Sequence, residues 1–147
     1  MRVDIVTKEY RPEIYGGAGV HVTELVKALR RSIEVQVRAF GAGRDEADTT
    51  SYGVPGELST ANPAVQTLGT DLEIVGDVAG ADVVHSHTWY ANFAGHLAAL
   101  LPGIPHVITA HSLLPFRHMP AEEPCGCYAV PNYTWNVAVV AYELALA

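Results

Sequence analysis

The chain has 147 residues, a formal net charge of −7, 49% hydrophobic and 17% charged residues. That length supports about one domain around a single core, and no apolar run reaches the ~20 residues of a membrane span, so neither a second domain nor a membrane partner is expected. With 9 Lys/Arg against 16 Asp/Glu and no basic cluster, nucleic acid is not an expected partner either, because phosphate backbones are bound chiefly by basic patches.

Met1-Arg2-Val3-Asp4-Ile5 meets an acidic residue at once and reads as a strand rather than a signal peptide. The cytoplasm is therefore the expected location. The strand runs to Thr7, and Tyr15-Gly16-Gly17-Ala18-Gly19-Val20-His21 separates it from a helix over Val20 to Arg31, in which Val22, Leu25, Val26 and Leu29 form an apolar stripe. A glycine-rich turn between strand and helix bares backbone N–H groups, and the positive end of the helix favours an anion beside them. A phosphate is the expected ligand; the alternative is that the glycines close the turn for steric reasons only. No Gly-Lys-Ser/Thr follows, so the loop is not a Walker A motif, and Gly17-Ala18-Gly19-Val20-His21-Val22 keeps only two of the three glycines of a dinucleotide fingerprint.

Ile33 to Phe40 alternates apolar and polar residues, which predicts a half-exposed strand near a sheet edge, parallel to the first through a right-handed crossover. Phe40-Gly41 stands where a nicotinamide-binding domain would carry an acidic ribose ligand. Gly41 to Asn62 reads as a surface connection. Asn62-Pro63 then caps and starts a helix with Val65, Leu68, Leu72 and Val75 at helical spacing. Asp82 to His87 is a short strand ending in polar residues, and a helix over Ala91 to Leu101 is expected to carry Phe93, Leu97 and Leu100 inward. His106 to Ala110 is another buried strand, ending in His111-Ser112. Such alternation predicts an α/β fold, an open parallel sheet flanked by helices.

In that fold the loops after every strand emerge along one edge, where ligands bind. The glycine loop, the segment from His85 to Tyr90 and the segment after His111 share this edge and define one cleft. His85 and His87, two apart on a strand, offer two metal ligands without an evident third; His85 reads as an internal residue and His87 as the one facing solvent and ligand. Trp89 reads first as a core plug and second as a sugar-stacking group. Cys125-Gly126-Cys127 is spaced for neither an ordinary disulfide nor a complete zinc site and reads as a turn. The last run, Tyr133 to Ala147, is almost wholly apolar, which suits a surface covered by something else.

Three motifs, Glu9-Tyr10-x-Pro12-x-x-Tyr15-Gly16-Gly17-Ala18-Gly19-Val20-His21-Val22, Val84-His85-Ser86-His87-Thr88-Trp89 and Thr109-Ala110-His111-Ser112-Leu113, together resemble the N-terminal domain of actinobacterial-type glycogen synthases and maltose-1-phosphate synthases, within family 4 of the glycosyltransferases. The similarity covers Met1 to about Arg117, giving an expected domain of residues 1–117 and a diverged or truncated tail of residues 118–147. The resemblance implies the Rossmann-like N-terminal half of a two-domain enzyme that transfers glucose from ADP-glucose, with retention, to an α-glucan or to glucose 1-phosphate. It implies that Gly16, Gly17 and Gly19 approach donor phosphate and sugar. His111 becomes the active-site histidine, and Glu9, Tyr15, His87, Thr88, Trp89 and Ser112 line the substrate site. No cofactor, metal or protein nucleophile is implied; catalysis would consist of positioning and stabilising the departing phosphate. Leu114 replaces the family's usual acidic residue, and the donor-binding C-terminal half is missing, so a fragment inactive by itself is expected. Two other readings stand beside this one: a non-catalytic domain binding α-glucan, sugar phosphate or a partner chain, and a metal-dependent hydrolase using His85, His87 and His111.

Overall fold

In the computed structural model, which describes residues 1–111, strands alternate with helices in the order β1 (Arg2–Thr7), α1 (Gly17–Leu29), β2 (Glu34–Phe40), β3 (Thr49–Tyr52), α2 (Pro63–Asp77), β4 (Val83–His87), α3 (Trp89–Leu100) and β5 (His106–Thr109), with a 3₁₀ turn at Gly56–Leu58. All four strand pairings are parallel and the sheet order is β3-β2-β1-β4-β5. This is a Rossmann-like α/β sheet, with β1 at its centre. Met1–Thr109 form one compact unit. Among the described residues, no helix is long and apolar enough to cross a membrane.

The period of two along each strand divides the core into two layers. Val3, Ile5, Val35, Val37 and Ala39 pack with Val22 and Val26 of α1 on one face, joined by Tyr10. Val6, Phe40 and Val84 pack with Ile74 of α2 and with Ala91, Ala94 and Ala98 of α3 on the other. Asn62 caps α2 as expected, its Oδ1 accepting from the Val65 N–H at 3.0 Å, with Pro63 in the first turn.

Three expectations fail, each for a packing reason. Strand β2 lies near the sheet edge as expected but is buried along most of its length rather than half-exposed, because Thr49–Tyr52, a short polar stretch within the expected surface connection, pairs along its outer side. In α2 Val75 of the expected stripe packs against the core, but Val65, Leu68 and Leu72 are 38%, 40% and 57% exposed, and the buried face is Gly69, Thr70, Asp71 and Ile74. Gly69 fits so closely against Leu58 and Pro55 that a Cβ there would collide with Leu58, so the helix turns its smallest residue, not its largest, to the neighbouring element. In α3, likewise, Ala91, Asn92, Ala94, Gly95 and Ala98 are buried while Leu100 is exposed. A Cβ on Gly95 would strike the His106 ring.

A charge sits inside the sheet. Asp4 is fully buried and accepts from Arg38 Nε at 2.9 Å and from Arg2 Nε at 2.8 Å. Arg38 also donates to the Tyr52 hydroxyl at 3.1 Å and to the Asp77 carbonyl at 3.1 Å, and Tyr52 donates to the Asp77 carboxylate at 2.9 Å. A buried carboxylate is costly unless paired and hydrogen-bonded, so the network links β1, β2, β3 and the end of α2. Arg38→Met should lower the unfolding free energy by about 3 kcal/mol in urea titrations, by leaving Asp4 under-neutralised. A loss below about 1 kcal/mol would show that Arg2 alone suffices.

Asp71 is fully buried between α2 and α3, and no side chain pairs with its carboxylate among the described residues. Burial pushes its pKa from 3.8 up to about 8, with the Ala94 backbone opposing. The native state therefore keeps a proton that the unfolded chain releases, so this group's stabilisation is full below about pH 4 and is lost as the pH rises towards 8. Asp71→Asn should flatten the profile, shrinking the difference in unfolding free energy between pH 5 and pH 8 by about 3.5 kcal/mol. An unchanged profile would mean that Asp71 is ionised in the folded protein.

Candidate functional site

Because the strands are parallel, the carboxyl ends of β1, β4 and β5 lie along one edge, and that edge carries the polar segments. At the end of β1 the Thr7 hydroxyl donates to the Glu9 carbonyl at 3.0 Å and turns the chain. The Glu9 carboxylate then reaches the start of α1, where it accepts from the Gly19 N–H at 3.3 Å. The glycines make room for it: a Cβ on Gly16 would lie 3.1 Å from Glu9 Oε2, and one on Gly19 3.0 Å from Glu9 Cβ and 3.1 Å from Ile14 Cγ2. The anion drawn to this helix start is thus the chain's own carboxylate. Gly17 differs from its neighbours, since a Cβ there would meet nothing within 4 Å. Tyr15, just before, is 67% exposed; burial of its hydroxyl end, then the nearby Glu9, Tyr90 and Glu13, push the phenol pKa up.

At the end of β4, His85 and His87 point to the α1 side of the sheet with ring centroids 4.3 Å apart. His87 was expected to face solvent but is fully buried, its ring 5.7 Å from that of His21 on α1. His85 is internal as expected: its Nε2 and the Thr109 hydroxyl of β5 are 2.8 Å apart. The chain then bends sharply. Thr88 has φ 67° and ψ 165°, a conformation that costs a β-branched residue about 1–3 kcal/mol and that concentrates at functional sites. Its N–H donates to the Thr109 carbonyl at 3.2 Å, its carbonyl accepts from the Ala91 N–H at 3.3 Å, and its buried hydroxyl makes no hydrogen bond among the described residues.

Behind the bend lies a buried support. Ser86 donates to Asn92 Oδ1 at 2.8 Å, and His106 Nε2 lies 2.7 Å from the same Ser86 hydroxyl. Burial first, then the charges of His96 and His85, push His106 down to about 4, so the ring is neutral. With the Ser86 proton given to Asn92, the remaining role of His106 Nε2 is donor. One hydroxyl thereby fastens β4, β5 and the start of α3 to each other.

The bend sets Trp89 and Tyr90 at the start of α3. Both are half-buried, so Trp89 is not the core plug that its size suggested. Their rings are 4.0 Å apart between centroids at 34°, and Lys8 Nζ lies 4.2 Å from the Tyr90 centroid. Lys8 was not among the expected site residues. It stands one position past the end of β1, and the rule that gathers ligands at carboxyl ends would have found it.

Of the expected site residues, Glu9, Gly16 and Gly19 are in contact, Gly17 is open, and Tyr15, His87, Thr88 and Trp89 share the carboxyl edge with them. His111 stands two residues beyond β5 and belongs to a second unit, residues 110–147. Ser112 lies outside the described residues, as do Cys125, Cys127 and the tail.

Known proteins supply an independent measure. The profile of Glycosyltransferase Family 4 matches residues 15–141. The alpha-maltose-1-phosphate synthases of Mycolicibacterium smegmatis and Mycobacterium tuberculosis are each 50% identical to this sequence over all 147 residues. The chain spans only 38% of the length of those two relatives. An uncharacterized glycosyltransferase of Methanocaldococcus jannaschii is 31% identical over 122 residues, 76% of this chain and 31% of its own. A profile match across most of the sequence, on a parallel sheet with a glycine loop at its carboxyl edge, means that the chain belongs to glycosyltransferase family 4.

Proposed function

We infer that this chain forms the N-terminal half of a cytoplasmic, retaining glucosyltransferase that takes glucose from ADP-glucose and passes it to glucose 1-phosphate or an α-glucan. The observation that carries this reading is the 50% identity, sustained over every residue of the chain, to enzymes named for making maltose 1-phosphate. The carboxyl edge supports it with an open backbone position at Gly17 and a strained bend at Thr88. In this reading the backbone around Gly17 faces the donor, and His111 lies near the transferred sugar. Bond exchange at the sugar needs no group on this chain to act as nucleophile; the chain's residues hold the acceptor on the face of the sugar from which the phosphate departs, as retention requires, and receive the charge that develops on that phosphate. The other half of the donor site is supplied by sequence beyond this chain's share of its relatives.

Two measurements test it. The chain by itself should bind ADP-glucose no tighter than about 0.1 mM in calorimetry, since half of the donor contacts are missing, and should transfer no glucose; submicromolar binding or turnover would overturn the half-site reading. Fused to the remaining sequence of the M. smegmatis relative, it should make maltose 1-phosphate from ADP-glucose and glucose 1-phosphate. A folded fusion without product would sink the assignment. In that fusion Gly17→Val should cut kcat/KM at least tenfold, about 1.4 kcal/mol, without unfolding the protein, because the added side chain enters open space.

A further inference from the structure

We propose that Lys8 with the Trp89–Tyr90 ring pair forms the binding site for a phosphorylated sugar, the Lys8 ammonium taking the phosphate and the rings taking the apolar face of the hexose. The proposal deepens the transferase reading above and rests on it for the identity of the site as an acceptor subsite.

The electrostatics come first. The chain carries a net charge of −7, so an anion meets overall repulsion and needs a local cation. At the carboxyl edge the helix start is already engaged by Glu9, whose carboxylate accepts from Gly19. The ammonium of Lys8, the residue before it, lies over the Tyr90 face, and among the described residues it makes no ion pair with a carboxylate. A ring face draws a cation by its quadrupole but leaves the ammonium's three N–H donors unneutralised. A phosphate supplies both the counter-charge and the acceptor oxygens.

The surroundings then select what carries the phosphate. Trp89 and Tyr90 are stacked, half-exposed, and held by the strained Thr88 bend and the Ser86–Asn92–His106 support rather than by burial in the core. Stiff aromatic faces beside one cation fit a ligand that is apolar on one side and anionic at one end. A hexose bearing a phosphate has that form; inorganic phosphate lacks the face, and neutral sugar lacks the charge.

The test uses the full chain with Trp135→Phe, which leaves Trp89 as the remaining indole of the two tryptophans. At low salt, where surface charge is least screened, glucose 1-phosphate should change Trp89 emission saturably, and glucose or inorganic phosphate should require at least tenfold higher concentration. Lys8→Gln should raise the glucose 1-phosphate concentration needed at least tenfold, leave the glucose response unchanged, and be rescued in large part by Lys8→Arg. The absence of a saturable response, equal responses to glucose and glucose 1-phosphate, or indifference to Lys8→Gln would overturn the site. Tighter Lys8-dependent binding of ADP-glucose than of glucose 1-phosphate would assign Lys8 to the donor and also overturn it. In the fusion protein, Lys8→Gln should raise KM for glucose 1-phosphate and leave KM for maltooligosaccharides unchanged. Transfer that proceeds with both KM values unchanged removes this site and keeps the transferase reading; Lys8-dependent sugar phosphate binding without transfer does the reverse.

Discussion

The structure depends on one buried carboxylate. Asp4 occupies the middle of the central strand with no exposure to water, and a charge in that position is tolerable only with fixed partners. Arg2 comes from its own strand, and Arg38 from the strand alongside; Arg38 in turn holds Tyr52 of the edge strand and the end of α2. These partners sit at fixed registers, Val6 opposite Arg38 on one side and Ser86 on the other. Satisfying one charge therefore aligns four elements and, with them, the level at which the strands end. Strand β2 cannot slip against β1, whose carboxyl end leads into the glycine loop, without stranding Asp4.

Much of this was legible in the sequence. The strands at the start of the chain and after Asp82 showed themselves through β-branched runs, the first helix through its spacing, and the second through Asn62-Pro63. The ligand edge followed from topology alone. What could not be read was which face a helix buries when small residues do the packing. Gly69 and Gly95 admit neighbours that any Cβ would exclude, and hydropathy patterns weigh large residues most. Thr49–Tyr52 is too short and polar to declare itself as a strand, and becomes one by pairing with β2. Burial of His87 was equally hidden, since it depends on imidazoles brought together from β4 and α1.

The same contrast separates the two parts of the site. Glycines at 16, 17 and 19 look alike in sequence, yet two make room for Glu9 and one faces open space. The glycine loop was expected to receive a phosphate. Within it a carboxylate from the preceding turn accepts from the Gly19 amide, whereas Gly17 carries no such internal duty.

Glu9 has a further consequence. A carboxylate fastened to the same loop is present at a local concentration that dilution cannot lower, of the order of millimolar or above for a short tether. Chloride, acetate or any singly charged solute at the start of α1 contends with a resident rival that never diffuses away. A small anion can bind the Gly19 amide only by displacing this resident carboxylate, a competition that its tethering to the same chain sets in the carboxylate's favour at low solute concentration.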